Sequence, residues 1–294
     1  MSKEMSNTCS CVMYEIMTGA PSRSPPTVTH VIPGETGVCA VTSLDDHVYV
    51  VRNNKNEVEV YDEVTLTLQR RLPVSGISYS ASGIAACSRS KCLYLSDWNN
   101  PSIHRVDLAT EAVKKWPVAK KPEGLSVNRD YNLLVACMTD NKLQEYTTDG
   151  RLVREICLAA DMGSPWQALQ LSTDDYVVSH CQSPGAVSIV GIDGGLKRSY
   201  GPSSLSDVGP LKYPRSLAVT KHGDILVADQ GNNRILAINS SLTRAQLFPS
   251  PVVINLRDPF ALYLDETRDR LCVGELTGKF RVIVLNNLPY VAWQ

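Results

Sequence analysis

Short apolar runs recur along the chain at a nearly constant interval, and each ends in a polar residue or a cysteine. They are HVYVVR ending at Arg52, CLYLSD at Asp97, NLLVAC at Cys137, DYVVSH at His180, DILVAD at Asp229 and RLCVGE at Glu275. Successive ends lie between 40 and 49 residues apart. This interval is typical of repeats that each form a four-stranded antiparallel sheet. The pattern predicts six such sheets, with each run as the second strand of its sheet.

Other apolar segments supply the remaining strands. A proline precedes the first strand in four copies, at Pro122, Pro165, Pro214 and Pro259. The sixth copy stops after its third strand, whereas residues 27–32 form a strand with no first three strands before it. An open ring would leave an unpaired strand edge. We therefore predict that residues 27–32 join the last copy and close a ring.

The fifth copy, residues 213–249, carries the most specific pattern. A proline start is followed by GDILVAD and then GNNR. These motifs resemble the NHL repeat, a blade of a β-propeller, and the chain is similar to the C-terminal domain of tripartite-motif (TRIM-NHL) proteins. The resemblance implies an all-β, six-bladed β-propeller over residues 27–288. Residues 1–26 are expected to be a flexible tail or linker remnant, and residues 289–294 a C-terminal tail.

Composition adds limits to this picture. The 294 residues are 43% hydrophobic, and 29 basic side chains balance 30 acidic ones. This balance gives no global attraction to nucleic acid or acidic membranes. No apolar run approaches the roughly 20 residues that cross a bilayer. Nine cysteines without a C-x-x-C pair favour reduced thiols. We expect a cytoplasmic monomer without membrane contact.

Candidate binding residues follow from the geometry of a propeller, in which the loops before first strands and those after second strands share one face. The residues placed on this predicted binding face are Arg52, Asp97, Trp98, Glu123, Met138, Trp166, His180, Arg215, Asp229, Gln230, Phe260 and Glu275. Structural roles compete with binding at several positions. Asp97 and Asp229 precede tight turns, where a carboxylate accepts backbone N–H groups, and His180 suits packing. Trp166 and Phe260 suit either interface anchors or wedges between blades.

Catalytic signals are sparse. The sequence has no G-x-S-x-G, phosphate-binding loop or H-E-x-x-H motif, and its five histidines fall on unrelated segments. A calcium cage needs six to eight oxygens, and an arginine and a cysteine interrupt the acidic strand ends. We therefore expect no enzyme, no catalytic residue, no metal and no cofactor. A metal-dependent hydrolase or lyase that uses the propeller channel stays open as an alternative.

Two kinds of partner follow from the resemblance, since tripartite-motif propellers bind proteins or single-stranded RNA on this face. RNA recognition calls for a basic field with stacking aromatics. The predicted face mixes Lys55, Lys121, Lys142, Lys212, Arg215 and Arg234 with Asp97, Glu123, Asp140, Asp229, Asp258 and Glu275. This balance favours a protein segment as the partner of a non-catalytic binding platform, with single-stranded RNA as the alternative. The only cysteines upstream of residue 27 are Cys9 and Cys11, so a RING ubiquitin ligase is not expected.

Overall fold

The computed structural model describes residues 26–78, 81–202, 208–248, 255–279, 281–288 and 293. The two expected tails lie outside these residues, apart from Pro26 and Trp293. Within the described residues the chain forms six four-stranded antiparallel sheets, which are the six blades of a β-propeller. The predicted fold class is confirmed.

The strands follow one another blade by blade. Strand β1 spans Thr27–Ile32. Blade 1 contains β2 to β5, at Val38–Leu44, His47–Arg52, Glu57–Asp62 and Leu68–Pro73. Blade 2 contains β6 to β9, at Ala81–Cys87, Cys92–Asp97, Ser102–Asp107 and Val113–Pro117. Blade 3 contains β10 to β13, at Pro122–Val127, Leu133–Cys137, Lys142–Tyr146 and Leu152–Cys157.

The second half of the ring repeats this order. Blade 4 contains β14 to β17, at Pro165–Gln170, Tyr176–His180, Ala186–Val190 and Leu196–Tyr200. Blade 5 contains β18 to β21, at Pro214–Val219, Ile225–Asp229, Arg234–Ile238 and Ala245–Leu247. Blade 6 contains β22 to β24, at Pro259–Asp265, Arg270–Glu275 and Val282–Asn286, together with β1. Single 3₁₀ turns occur at Ala160–Met162 and Gln230–Asn232.

The ring closes through β1. This strand pairs antiparallel with β24, from Thr27 opposite Asn286 to Ile32 opposite Val282. Blade 6 therefore contains strands from both ends of the propeller, as the sequence predicts. Because the N-terminal strand β1 completes blade 6, every blade has four strands.

Packing between blades explains the apolar second strands. These strands are buried along nearly their whole length, because they lie inside the blades and contact both neighbouring blades. For example, Val51 of blade 1 and Leu93 of blade 2 belong to one buried cluster. Serine hydroxyls add hydrogen bonds between adjacent first strands: Ser82 Oγ donates to the Pro122 carbonyl oxygen at 3.0 Å, and Ser126 Oγ to that of Ala168 at 2.7 Å. The first strands are thus held side by side around the central axis.

Candidate functional site

A β-bulge lies near the start of the first strand in every blade. The opening residue of that strand pairs with the last residue of the second strand, as Pro214 does with Asp229, and the register shifts directly afterwards. A bulge inserts an extra residue and re-aims its side chain. The first strands contact one another around the axis, so the bulged residues form a ring that we call the channel mouth. Its members are Cys39, Ser82, Glu123, Trp166, Arg215 and Phe260.

Beneath the mouth the channel is nearly filled. The axial cavity has a volume of ≈ 30 Å³ and is lined by residues of all six first strands, among them Cys39, Ser82, Trp166 and Phe260. This is on the order of the space that one water molecule occupies in the liquid. The cavity between the described first strands is therefore too small for a ligand much larger than water.

Arg215 is the centre of one half of the mouth. Its guanidinium carbon lies 3.9 Å from the centre of the Trp166 ring and 5.1 Å from that of Phe260. The two rings contact each other edge to face at 5.3 Å. Arg215 Nε donates to Gln230 Oε1 at 2.5 Å. These contacts hold the guanidinium plane in one orientation, which gives the mouth a fixed positive charge.

Glu123 is the acidic member of the ring. Its side chain is buried, and burial raises its pKa from the usual 4.5 to about 8, against the opposing effects of Arg215, Trp98 and Lys121. Most Glu123 side chains are therefore protonated at pH 7. The charge of Arg215 consequently remains largely uncompensated by this carboxyl group.

A second cation and aromatic ring lie beside the mouth. Lys121 Nζ lies 4.6 Å from the centre of the Trp98 ring, and Trp98 is 36% exposed. The half-buried Met138 adjoins them, since its backbone N–H donates to the Lys121 carbonyl oxygen at 3.1 Å. The rim thus offers accessible apolar surface next to positive charge.

The last residues of the second strands have a different role. Arg52, Asp97, His180, Asp229 and Glu275 are at most 3% exposed. Each contacts the loop that precedes the first strand of its own blade, which we call the approach loop. The structure therefore removes these five side chains from the accessible binding face. They stabilise the loops that carry the mouth.

Asp229 illustrates this bracing. Its carboxylate accepts the backbone N–H of Lys212 at 2.7 Å in the approach loop, the side-chain amide of Asn232 at 2.8 Å and Arg234 Nε at 2.6 Å. Glu275 repeats the arrangement with the backbone N–H of Arg257 at 2.8 Å and Arg281 Nε at 2.6 Å. Each carboxylate thus joins its approach loop to an arginine at, or directly before, the start of the third strand.

Two thiols lie at the mouth, Cys39 within the ring and Cys181 near Arg215, and neither acts as a thiolate. Burial raises the pKa of Cys39 to about 12 and that of Cys181 to about 11. Nucleophilic and metal-ligating cysteines need the thiolate. Among the described residues no group of three or more His, Cys, Asp or Glu side chains is arranged to hold a metal ion.

The sequence pattern predicts only part of the channel mouth. Glu123, Trp166, Arg215 and Phe260 each follow a proline, and this signal placed them on the face. Blades 1 and 2 have Val38 and Ala81 at the proline position, so the proline signal does not mark Cys39 and Ser82. Alignment of the first strands on the ends of the second strands would have found both residues.

A larger groove lies away from the axis. It has a volume of ≈ 900 Å³, and its lining includes Ile32 of the closing strand and Arg52, Tyr61 and Arg71 of blade 1. The ion pair of Arg52 Nε with Glu59 Oε2, 2.6 Å long, lies within this lining. None of the six mouth residues lines the groove.

Comparison with protein families gives one match, to the family described as "NHL repeat", over residues 211–238. The matched segment contains the first three strands of blade 5, β18, β19 and β20. This supports the NHL-type propeller fold, and the finer similarity to tripartite-motif proteins stays a prediction. No curated protein matches the sequence.

Solved structures of similar fold include enzymes. Virginiamycin B lyase from Staphylococcus aureus superposes with a TM-score of 0.60 at 13% identity, covering 90% of this chain and 89% of that chain. A streptogramin B lyase gives 0.62 at 13% identity, covering 87% and 97%. Hydrazine synthase from Kuenenia stuttgartiensis gives 0.63 at 16% identity, covering 87% and 78%. At these identities the likeness shows the fold alone.

These structures correct the prediction that the chain is not an enzyme. That prediction rested on missing catalytic motifs and a broken metal cage, whereas propellers of this architecture include two lyases and a synthase. The fold therefore does not assign the chain to a non-catalytic class. Among the described residues, no helix is long and apolar enough to cross a membrane. The cytoplasmic location and the monomeric state stay predictions.

Proposed function

We propose that the propeller is a binding platform and that its partner is a protein segment that docks on the channel mouth. One observation carries the proposal: aromatic side chains paired with cations surround a channel whose cavity is only ≈ 30 Å³. Pockets for small molecules usually measure about 300–1,000 Å³. A shallow mouth instead suits a side chain that projects from a larger partner.

The residue types at the mouth agree with this proposal. Tryptophan and arginine are enriched among the residues that contribute most to protein–protein binding. Trp98 presents an exposed ring, and Trp166 is half-buried with its ring already held by Arg215. Ordered side chains lose little conformational entropy on binding.

The basic side chains favour protein over single-stranded RNA. Arg234 forms an ion pair with Asp229 at 2.6 Å, and Lys142 forms one with Glu155 at 3.0 Å. Two of the cations predicted near the face are therefore already paired with carboxylates. RNA binding relies on many unpaired cations that contact phosphates. Arg215 and Lys121 remain at the mouth. They form a narrow basic site, not a groove that could follow an RNA backbone.

Selection from a random-peptide display library tests the proposal. We expect the full chain to enrich a related set of peptides, and both Trp98→Ala and Trp166→Ala to weaken their binding about tenfold or more. Tyr131→Ala is the matched control, because Tyr131 is an exposed aromatic residue in the β10–β11 turn, outside the mouth. Peptides that bind all three variants as tightly as the wild type would refute docking at the mouth.

A further inference from the structure

We propose that Arg215 is the receptor for a carboxylate group of the docked segment, either an acidic side chain or the chain terminus. This inference rests on the proposed function, since it names the chemistry that the mouth recognises. It depends on the free edge of the guanidinium, the missing counter-ion and the charges around the rim.

The guanidinium offers one free edge. Trp166 and Phe260 pack against it, and its Nε is bonded to Gln230. Among the described residues, neither terminal nitrogen of Arg215 has a hydrogen-bond acceptor. An arginine fork matches a carboxylate with two parallel hydrogen bonds. The side chain is therefore positioned for bidentate recognition without further rearrangement.

Arg215 also has no ion-pair partner in the part of the chain that the structure describes. By contrast, Arg234 and Arg281 of the same face each lie 2.6 Å from a buried carboxylate. Burial lowers the pKa of Arg215, while the nearby Glu123 and Asp258 partly oppose this effect. A half-buried cation without an ion pair has lost hydration that a ligand carboxylate would replace.

Glu123 does not supply the missing charge. It is the acidic residue of the ring itself, and with a pKa of about 8 it is mostly neutral at pH 7. The mouth therefore combines a persistent positive charge with stacked aromatic surface. This combination attracts an anion into a partly dehydrated site, where the interaction is stronger than in water.

The rim favours a single carboxylate over a phosphate backbone. Asp140 lies in the loop after the second strand of blade 3, and Asp258 lies in the approach loop of blade 6. These carboxylates repel a polyanion that would run across the face. A single acidic group at Arg215 brings only one charge to this rim and is repelled less than a polyanion. We therefore infer an acidic protein segment rather than RNA.

The test uses the full chain and two random-peptide display libraries, one with a free peptide C-terminus and one with it blocked. In the blocked library we expect an aspartate or glutamate at one fixed position if a side chain binds. In the free library we expect dependence on the terminal carboxylate if the terminus binds. Amidating that carboxylate, or replacing the acid with asparagine or glutamine, should weaken binding to the wild-type protein about tenfold or more.

Matched variants locate the effect. Arg215→Gln should remove the preference for the carboxylate, and Arg215→Lys should restore little of it because lysine lacks the planar fork. Lys221→Gln is the control, since Lys221 is an exposed cation in the β18–β19 turn of the same blade, outside the mouth, and its loss changes the net charge equally. Thermal melts of the variants establish folding, and the peptide substitutions test the proposal even if an Arg215 variant fails to fold.

The outcomes are distinct. Enriched peptides that tolerate loss of every carboxylate would overturn the role of Arg215 and leave the platform standing. No enriched peptide in either library would overturn both proposals. Tight binding of a random-sequence 20-nucleotide RNA that is lost in Arg215→Gln, without a carboxylate preference among peptides, would overturn the inference in favour of phosphate.

Discussion

Individual side chains divide into two classes on the mouth face. The bulged residues form the ring of the mouth, where Glu123 and Phe260 are also buried, whereas the last residues of the second strands brace the approach loops. Both classes lie next to apolar runs in the sequence. What separates them is the backbone register, because a bulge shifts one residue towards the axis and leaves its neighbour paired within the sheet.

Removal of a brace should destabilise the fold. Asp229→Ala removes the carboxylate that pairs with Arg234 and leaves the Lys212 N–H without its acceptor. Breaking a buried ion pair in this way costs about 3–5 kcal/mol. Urea unfolding of Asp229→Ala should show a loss of this size, and Asp107→Ala, at an exposed turn that caps two backbone N–H groups, should show a smaller one. Equal losses would contradict the bracing role.

Glu123 should make stability depend on pH. Its pKa is raised from 4.5 to about 8 in the folded state. Between these values the folded chain holds a proton that the unfolded chain has released, so this group stabilises the fold less as the pH rises. Glu123→Gln removes the titratable carboxyl group. The glutamine side chain has nearly the same shape as protonated glutamate.

The measurement is urea unfolding of Glu123→Gln and wild type at pH 4, 6 and 8. The two proteins should be close in stability at pH 4, and the variant should gain relative to wild type by up to about 1.4 kcal/mol per pH unit within the window. A difference that stays constant from pH 4 to 8 would show that Glu123 does not titrate as described.

Individual residues also show how much of the fold and of the site can be predicted from the sequence. All six second strands end where the apolar runs end, because burial on both sides demands continuous apolar sequence. Trp166, Arg215, Phe260 and Glu123 were placed on the face by their prolines. The sequence could not show that Trp166, Phe260 and Arg215 stack together, because they come from three different blades.

At the scale of elements, the closing strand decides whether the ring is complete. β1 pairs along β24, and Ile32 packs in a cluster that joins blades 6 and 1. Without β1, blade 6 would expose its third strand, β24, as an unpaired edge. The pattern of a copy lacking its fourth strand was sufficient to predict this pairing.

Truncation tests the closure. A chain that starts at residue 33 should melt at a clearly lower temperature than one that starts at residue 23, since only the first truncation removes β1. Thermal melts followed by circular dichroism provide the comparison. Equal melting temperatures for the two truncations would contradict the role of β1.

At the scale of the whole molecule, the blades meet tightly around the axis. A Cβ at Gly124 would lie 2.6 Å from the Trp166 carbonyl oxygen and 2.7 Å from Gln167 Cβ, both in the neighbouring blade. The first strands of blades 3 and 4 therefore approach at a distance that only glycine permits. This close contact also fixes the position of Trp166 in the mouth.

Gly124→Ala should accordingly force two blades apart and cost about 1–3 kcal/mol, as overpacking does in other cores. It should also weaken peptide binding at the mouth. Gly163→Ala is the control, because the nearest atom to its added Cβ is 3.9 Å away. If both variants unfold at the same urea concentration, the tight contact between blades 3 and 4 is not needed.

The central claim is that the channel mouth is the binding face, and amide hydrogen exchange of the propeller with and without a selected peptide tests it most directly. We predict that protection increases in segments that contain Lys121, Glu123, Trp166, Arg215 and Phe260, which surround the mouth. The groove of ≈ 900 Å³ beside Ile32 and Tyr61 supplies the competing location. Protection confined to that groove, with unchanged exchange around the mouth, would contradict the claim.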